Sequence, residues 1–248
     1  MLPNLSEGQW LLAIAAALCV GASKAGFAGL GMVAVVAFAS IFGARDSTGI
    51  VLPMLIVGDL GAVIIFKQHA RWDYIRRTLP PALIGVIGAA IVMHGLDNAS
   101  FRPVIGGIIL GLTVLQFIRS RWPDLFGRVP HSRPFAWGLG LFAGVTTMMA
   151  NAAGPLVALY CVAMQLPKFE VVGTLAWFFF IINLVKVPFS VWIGVIHGSS
   201  LMLNAMLVPV ILVGLFGGRW IVHRVPQRVF EMTMLVFAAV ASMRLLFG

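Results

Sequence analysis

The chain alternates long apolar blocks with short polar ones. Apolar segments fall at roughly 9–22, 28–42, 47–66, 78–94, 103–118, 135–150, 154–166, 171–195, 201–218 and 229–247. Several approach the ~20 residues that a helix needs to cross a ~30 Å hydrocarbon core. The blocks are solidly apolar and rich in Leu, Ala and Gly, with none of the two-residue alternation of a transmembrane barrel strand. The pattern therefore predicts a bundle of apolar helices. One stretch breaks it: "GASKAGFAGLG" (Gly21–Gly31) sets a lysine and four glycines inside an otherwise apolar run.

The ten segments form two sets of five on either side of the basic, proline-bearing stretch Arg119–Arg133. Placing Gly31 on Gly154 puts "FGARDS" (Phe42–Ser47) on "QLPKFE" (Gln165–Glu170). One residue later in register, Asp59 falls on Asn183. Further on, "PALIGVIG" (Pro81–Gly88) matches "PVILVGLFG" (Pro209–Gly217) with one insertion. These matches occur in order and predict an internal duplication: a first membrane repeat at 1–122, a linker at 123–133 and a second repeat at 134–248. The first two segments of each set are the shortest and reach only ~20–24 Å at 1.5 Å per residue. Each pair reads as a re-entrant hairpin or broken helix, with "GASKAGFAGLG" at one tip and "TTMMANAAGP" (Thr146–Pro155) at the other. The expected fold is an all-α polytopic membrane protein of two inverted repeats, each a short helix pair plus three transmembrane helices.

Composition agrees. Of 248 residues, 60% are hydrophobic and 10% charged, and the mean hydropathy is +1.02. A soluble domain of this size cannot hide so much apolar surface. A net charge of +9 would suit a nucleic-acid partner, but the basic residues are confined to a few loops, so none is expected. Twelve Lys and Arg fall on one side of the expected topology and only Arg45, Arg102 and Arg244 on the other. That bias places the central loop in the cytoplasm and both termini outside. The start "MLPNLSEGQW" lacks the basic region of a cleavable signal peptide. Cys19 and Cys161 have no partner at disulfide or metal spacing, and the five histidines are scattered, so no metal or cofactor is expected.

Two lysines remain at membrane depth, Lys24 and Lys186. Unwound backbone is tolerated there only where it faces protein or a polar cavity, and a helix N-terminus turned inward favours an anion. Gly26, Gly29 and Gly31 would let a ligand approach one tip, where Ser23 and Lys24 could contact it. The other tip supplies Thr146, Thr147, Asn151 and Gly154. Together they make a socket for a small oxyanion. The competing reading has Lys24 snorkelling to an interface and the glycines serving only tight helix packing. Asp59, Asn183 and Lys186 lie in mid-segment, where ionisable groups are costly and face a cavity or each other. Asp59 can be a proton carrier, the counter-ion of Lys24 or Lys186, or a protonated hydrogen-bonder.

An intramembrane enzyme is the poorer alternative. "GASK" and "IVGD" (Ile56–Asp59) each miss the GxSG and GxGD protease motifs, and no HExxH is present. The glycine-rich module, its polar turn "FGARDSTG" (Phe42–Gly49), the Trp72–Tyr74 loop and the helix "LIGVIGAAI" (Leu83–Ile91) together resemble the sulfite exporter TauE/SafE family, also called the TSUP transporters. The second half repeats this plan more loosely, with Met148 and Met149 where the family often has small residues. The resemblance implies passage of small sulfur-containing anions, such as sulfite, thiosulfate, sulfoacetate and related organosulfonates, across the bacterial cytoplasmic membrane. The expectation is a secondary transporter working by alternating access, its partners the anion and the bilayer, with homo-oligomers open. A passive anion channel and a carrier of a non-sulfur organic anion stay as alternatives.

Overall fold

The computed structural model describes residues 5–26, 28–122 and 132–222. Among them the chain is helical, with no strand. In order come α1 (Glu7–Lys24), α2 (Ala28–Phe42), α3 (Ala44–Phe66), a single 3-10 turn (Lys67–His69), α4 (Trp72–His94), α5 (Asn98–Arg121), α6 (Arg133–Ala150), α7 (Gly154–Ala163), α8 (Lys168–Ile193) and α9 (Gly198–Val222). Nine expected segments appear as helices. The tenth, 229–247, lies outside the described residues, as does most of the expected linker.

Local chemistry sets the helix ends. Ser6 and Gln9 form a capping box at the start of α1, with Ser6 N donating to Gln9 Oε1 at 3.0 Å and Gln9 N to Ser6 Oγ at 3.3 Å. The Asp97 carboxylate accepts from Ser100 N at 2.9 Å before α5, and the Ser100 hydroxyl together with that N–H holds its pKa below the usual carboxylate value. Ser132 caps α6 in the same way. Gly194, at φ 78°, ends α8 in the left-handed conformation. Several helices begin before their apolar runs. For instance, α4 starts at Trp72 and not near residue 78, because "WDYIRR" carries an acid in its first turn and nothing that breaks a helix. An apolar run marks only the part of a helix that faces hydrocarbon.

Among the described residues, five helices are long and apolar enough to cross a membrane: α3 with its 3-10 extension, α4, α5, α8 and α9. Neither α1 nor α2 is among them, nor α6 nor α7. At 15 and 10 residues, α2 and α7 reach only ~22 and ~15 Å. Leu11, Ile64, Ile91, Phe142, Val213 and Trp220 stand well exposed on the outer surface. That belt suits lipid tails and would be a liability in water.

At the centre, α3 and α8 pack antiparallel. Arg45, at the start of α3, donates to the backbone oxygen of Ile193 at the end of α8 (3.0 Å), and Gly49 lies against the backbone of Val195. At the other end, Phe66 packs with Val172 and Ala176, and Arg71 pairs with Glu170 at 3.1 Å. Two flanking pairs run parallel and are held by glycine. Gly214 of α9 meets the backbone oxygen of Leu18 in α1, and Gly218 meets Ala22. Likewise, Gly85 of α4 meets the backbone oxygen of Leu141 in α6, and Gly144 meets that of Ala82. Leu18 and Leu141 are 123 residues apart, the same spacing that separates Gly31 from Gly154. Each half thus lends its first helix to the fourth helix of the other half. Gly21 also belongs to this packing, since a Cβ there would strike the backbone of Ile211.

A methyl group at Gly144 would overlap the Ala82 carbonyl, whereas one at Gly88 of α4 meets open space. Both sites are helical, so both gain the same ~1 kcal/mol of helix propensity on change to Ala. Gly144→Ala should lose about 1–3 kcal/mol more than Gly88→Ala through overpacking. Thermal unfolding of the two variants in detergent gives the difference, and equal melting temperatures would refute the close-packing account.

Candidate functional site

The site begins where α1 stops. Lys24 is its last residue, Ala25 N returns to Ala22 O at 3.0 Å, and Gly26 takes φ 117°, a conformation suited to glycine alone. The stem of Lys24 then runs across Gly58 of α3, where a Cβ would come within 3.0 Å of Lys24 Cγ. The missing side chain of Gly58 therefore opens the way to its neighbour, Asp59.

Lys24 Nζ lies 2.7 Å from Asp59 Oδ1 and 5.2 Å from the centre of the Phe179 ring. Oδ1 has no donor aligned as a hydrogen bond, so this contact is held as an ion pair. The other carboxylate oxygen, Oδ2, accepts from Asn183 Nδ2 at 2.7 Å. Asn183 turns its Oδ1 to Lys186 Nζ at 3.3 Å. Its amide dipole thus points its positive end at the carboxylate and its negative end at the ammonium. Lys186 Nζ also donates to Thr147 O (2.6 Å), to Thr147 Oγ1 (3.3 Å) and to Asn151 Oδ1. Asn151 ends α6 in the left-handed conformation, at φ 50°, and its Nδ2 donates to Thr48 O of α3 at 2.9 Å. Asp59, Asn183, Lys186 and Thr147 are each 1% exposed, and the Lys24 side chain 12%.

Depth follows from helix geometry. Asp59 and Asn183 each lie within roughly 6 Å, along the axis, of the middle of their own helix. The ammonium of Lys24 is joined there, about 10 Å short of the end of α3 at Phe66. Within the fold Lys24 is thus tied to groups in the middle stretches of α3 and α8.

Six of the sequence candidates are thus in one connected network: Lys24, Asp59, Thr147, Asn151, Asn183 and Lys186. Asp59 is the counter-ion of Lys24, not of Lys186. The others sit apart. Ser23 Oγ donates to Val20 O at 2.7 Å and Thr146 Oγ1 to Phe142 O at 2.8 Å, so both hydroxyls are spent inside their own helices. Gly154 opens α7 beside Pro155, Gly29 and Gly31 lie within α2, and Gly31 faces Ser23. Sequence reasoning missed Thr48, Gly58 and Phe179. Thr48 contributes a backbone oxygen, which no side-chain pattern reveals. Phe179 stands beside Trp177 and Phe178, but Trp177 packs at a tilt against Trp72, with ring centres 5.2 Å apart, and Phe178 is buried in the core. Among the described residues, no group of three or more His, Cys, Asp or Glu could hold a metal ion.

A multi-pass helical membrane protein with ionisable side chains joined in the middle of its helices, where two broken helix pairs meet a central antiparallel pair, has the architecture of a transport protein. The sulfite exporter TauE/SafE family model matches residues 13–245, and the chain belongs to that family of transporters. No curated protein and no solved structure matches it.

Removing one partner of a buried ion pair strands the other without water, at a cost of about 3–5 kcal/mol. Lys24→Met should therefore lower thermal stability sharply, and Lys24→Met/Asp59→Asn should regain more than half of the loss. A double variant no more stable than Lys24→Met alone would mean that the pair is not coupled.

Proposed function

We propose that this protein is a secondary transporter carrying a small sulfur-containing anion, of the class of sulfite, thiosulfate or an organosulfonate, across the bacterial cytoplasmic membrane. The anion binds where the α1–α2 and α6–α7 tips meet α3 and α8, and access to it alternates between the two faces. The observation that carries this reading is the convergence of both tips on one buried network with two ammoniums and a single carboxylate. The family match supplies the sulfur chemistry.

Residues 1–122 and 134–248 are, on this proposal, inverted repeats joined by a cytoplasmic linker, with both termini on the periplasmic side. Three facts support it: the antiparallel run of α3 against α8, the reciprocal glycine contacts at one sequence spacing, and the concentration of Lys and Arg on one side. Asp59 and Asn183, equivalent in the two halves, hydrogen-bond to each other, as residues beside a shared two-fold axis would.

Purified protein in liposomes should accumulate labelled sulfite or thiosulfate by counterflow, with uptake that saturates. Uptake that stays linear with concentration, without counterflow, would establish a passive pore instead. On this proposal Asp59, the network's carboxylate, is the group that carries a proton travelling with the anion. If Asp59→Asn leaves the pH dependence of flux unchanged, that role is excluded.

A further inference from the structure

The charges in this network do not cancel. Lys24 is neutralised in place by Asp59 at 2.7 Å. The second carboxylate oxygen is taken by the neutral amide of Asn183. Among the described residues, Lys186, 1% exposed, meets uncharged oxygens only: the Thr147 carbonyl and hydroxyl and the side-chain oxygens of Asn151 and Asn183. Every one of these groups can accept, which suits an ammonium with three N–H to place. Amide and carbonyl dipoles hold the charge without neutralising it. In hydrocarbon, an ion left in that condition is expensive, and a counter-ion relieves the cost.

We propose that Lys186 is the anion receptor and that its single uncompensated charge sets the valence of the substrate: the resting site takes one negative charge, a monovalent sulfur oxyanion such as hydrogen sulfite or a monosulfonate. This rests on the anion-transport reading above and adds to it a rule for selectivity. The anion takes the place of Asn151 or Thr147 at the ammonium, so binding loosens the α6–α7 tip from α8. A dianion arriving alone would leave the core with one excess negative charge, again without water to hold it.

Methanesulfonate and sulfate test the rule, since both are tetrahedral sulfur oxyanions and they differ by one charge. In ligand-dependent thermal shifts and equilibrium binding on the purified full-length protein, methanesulfonate should bind at least ten-fold more tightly than sulfate. Asp59→Asn, which raises the net charge of the network to two, should reverse that order. Lys24→Met/Asp59→Asn restores a single charge and should restore the methanesulfonate preference, which keeps the test open if Asp59→Asn alone fails to fold. Lys186→Met should bind neither. Sulfate binding as tightly as methanesulfonate to the native protein, with an unchanged order in the variants, overturns the valence rule and leaves the anion site standing. Failure of the native protein to bind any anion, sulfite and thiosulfate included, overturns the site itself.

Discussion

Hydrocarbon cannot solvate a charge, and that limit organises the centre of this molecule. A carboxylate and two ammoniums at mid-depth have only the chain itself to meet them. Meeting them fixes four segments at once. The network runs from Asp59 of α3 to Asn183 and Lys186 of α8, on to Asn151 at the end of α6, and back to α3 at Thr48. The tip of α1 is pinned to the same circuit through Lys24. Thr48 and Asp59 lie three turns apart on α3, so the circuit braces about 16 Å of that helix. Displacing one link disturbs the rest, which is what a binding event needs if it is to be felt elsewhere.

The surrounding helices answer a different constraint. Lipid tails are as apolar as leucine, so burial alone gives helices little reason to associate, and close contact has to supply the attraction. Gly85, Gly140 and Gly144 let α4 and α6 touch backbone to backbone, and Gly21, Gly214 and Gly218 do the same for α1 and α9. The buried charged network thus belongs to the central pair and its two tips, while small residues hold the flanks. Arg71 and Glu170 form another ion pair, but it is partly solvent-exposed at the start of α8 and adds little to stability by comparison.

Much of this was legible in the sequence because the membrane makes polar residues conspicuous. Lys24, Asp59, Asn183 and Lys186 each interrupt an apolar run, and all four proved to be joined. The brevity of the first two segments in each half was equally visible. Pairing was not. Sequence position gives depth along a helix but not the direction in which a side chain leaves it, so whether Asp59 met Lys24 or Lys186 stayed open. Gly58 decided the matter by clearing a path for the Lys24 stem, and nothing distinguishes that glycine from its neighbours by pattern. The same ambiguity divided "GASKAGFAGLG": Gly21 packs, Gly26 turns, and Gly29 and Gly31 merely continue into α2. Ser23 and Thr146 looked available as ligands because a hydroxyl's commitment to its own helix leaves no mark in the sequence.

The exchange of first helices between the halves carries a consequence for how the protein is made. During synthesis α1 emerges before the other described helices, yet its glycine-lined partner, α9, lies about 200 residues further along the chain. At 5–20 residues per second, α1 waits roughly 10–40 s for the surface it is shaped to fit. Throughout that interval the glycine-lined contact between α1 and α9 is absent, and the first half has no finished packing for α1 until α9 has been made.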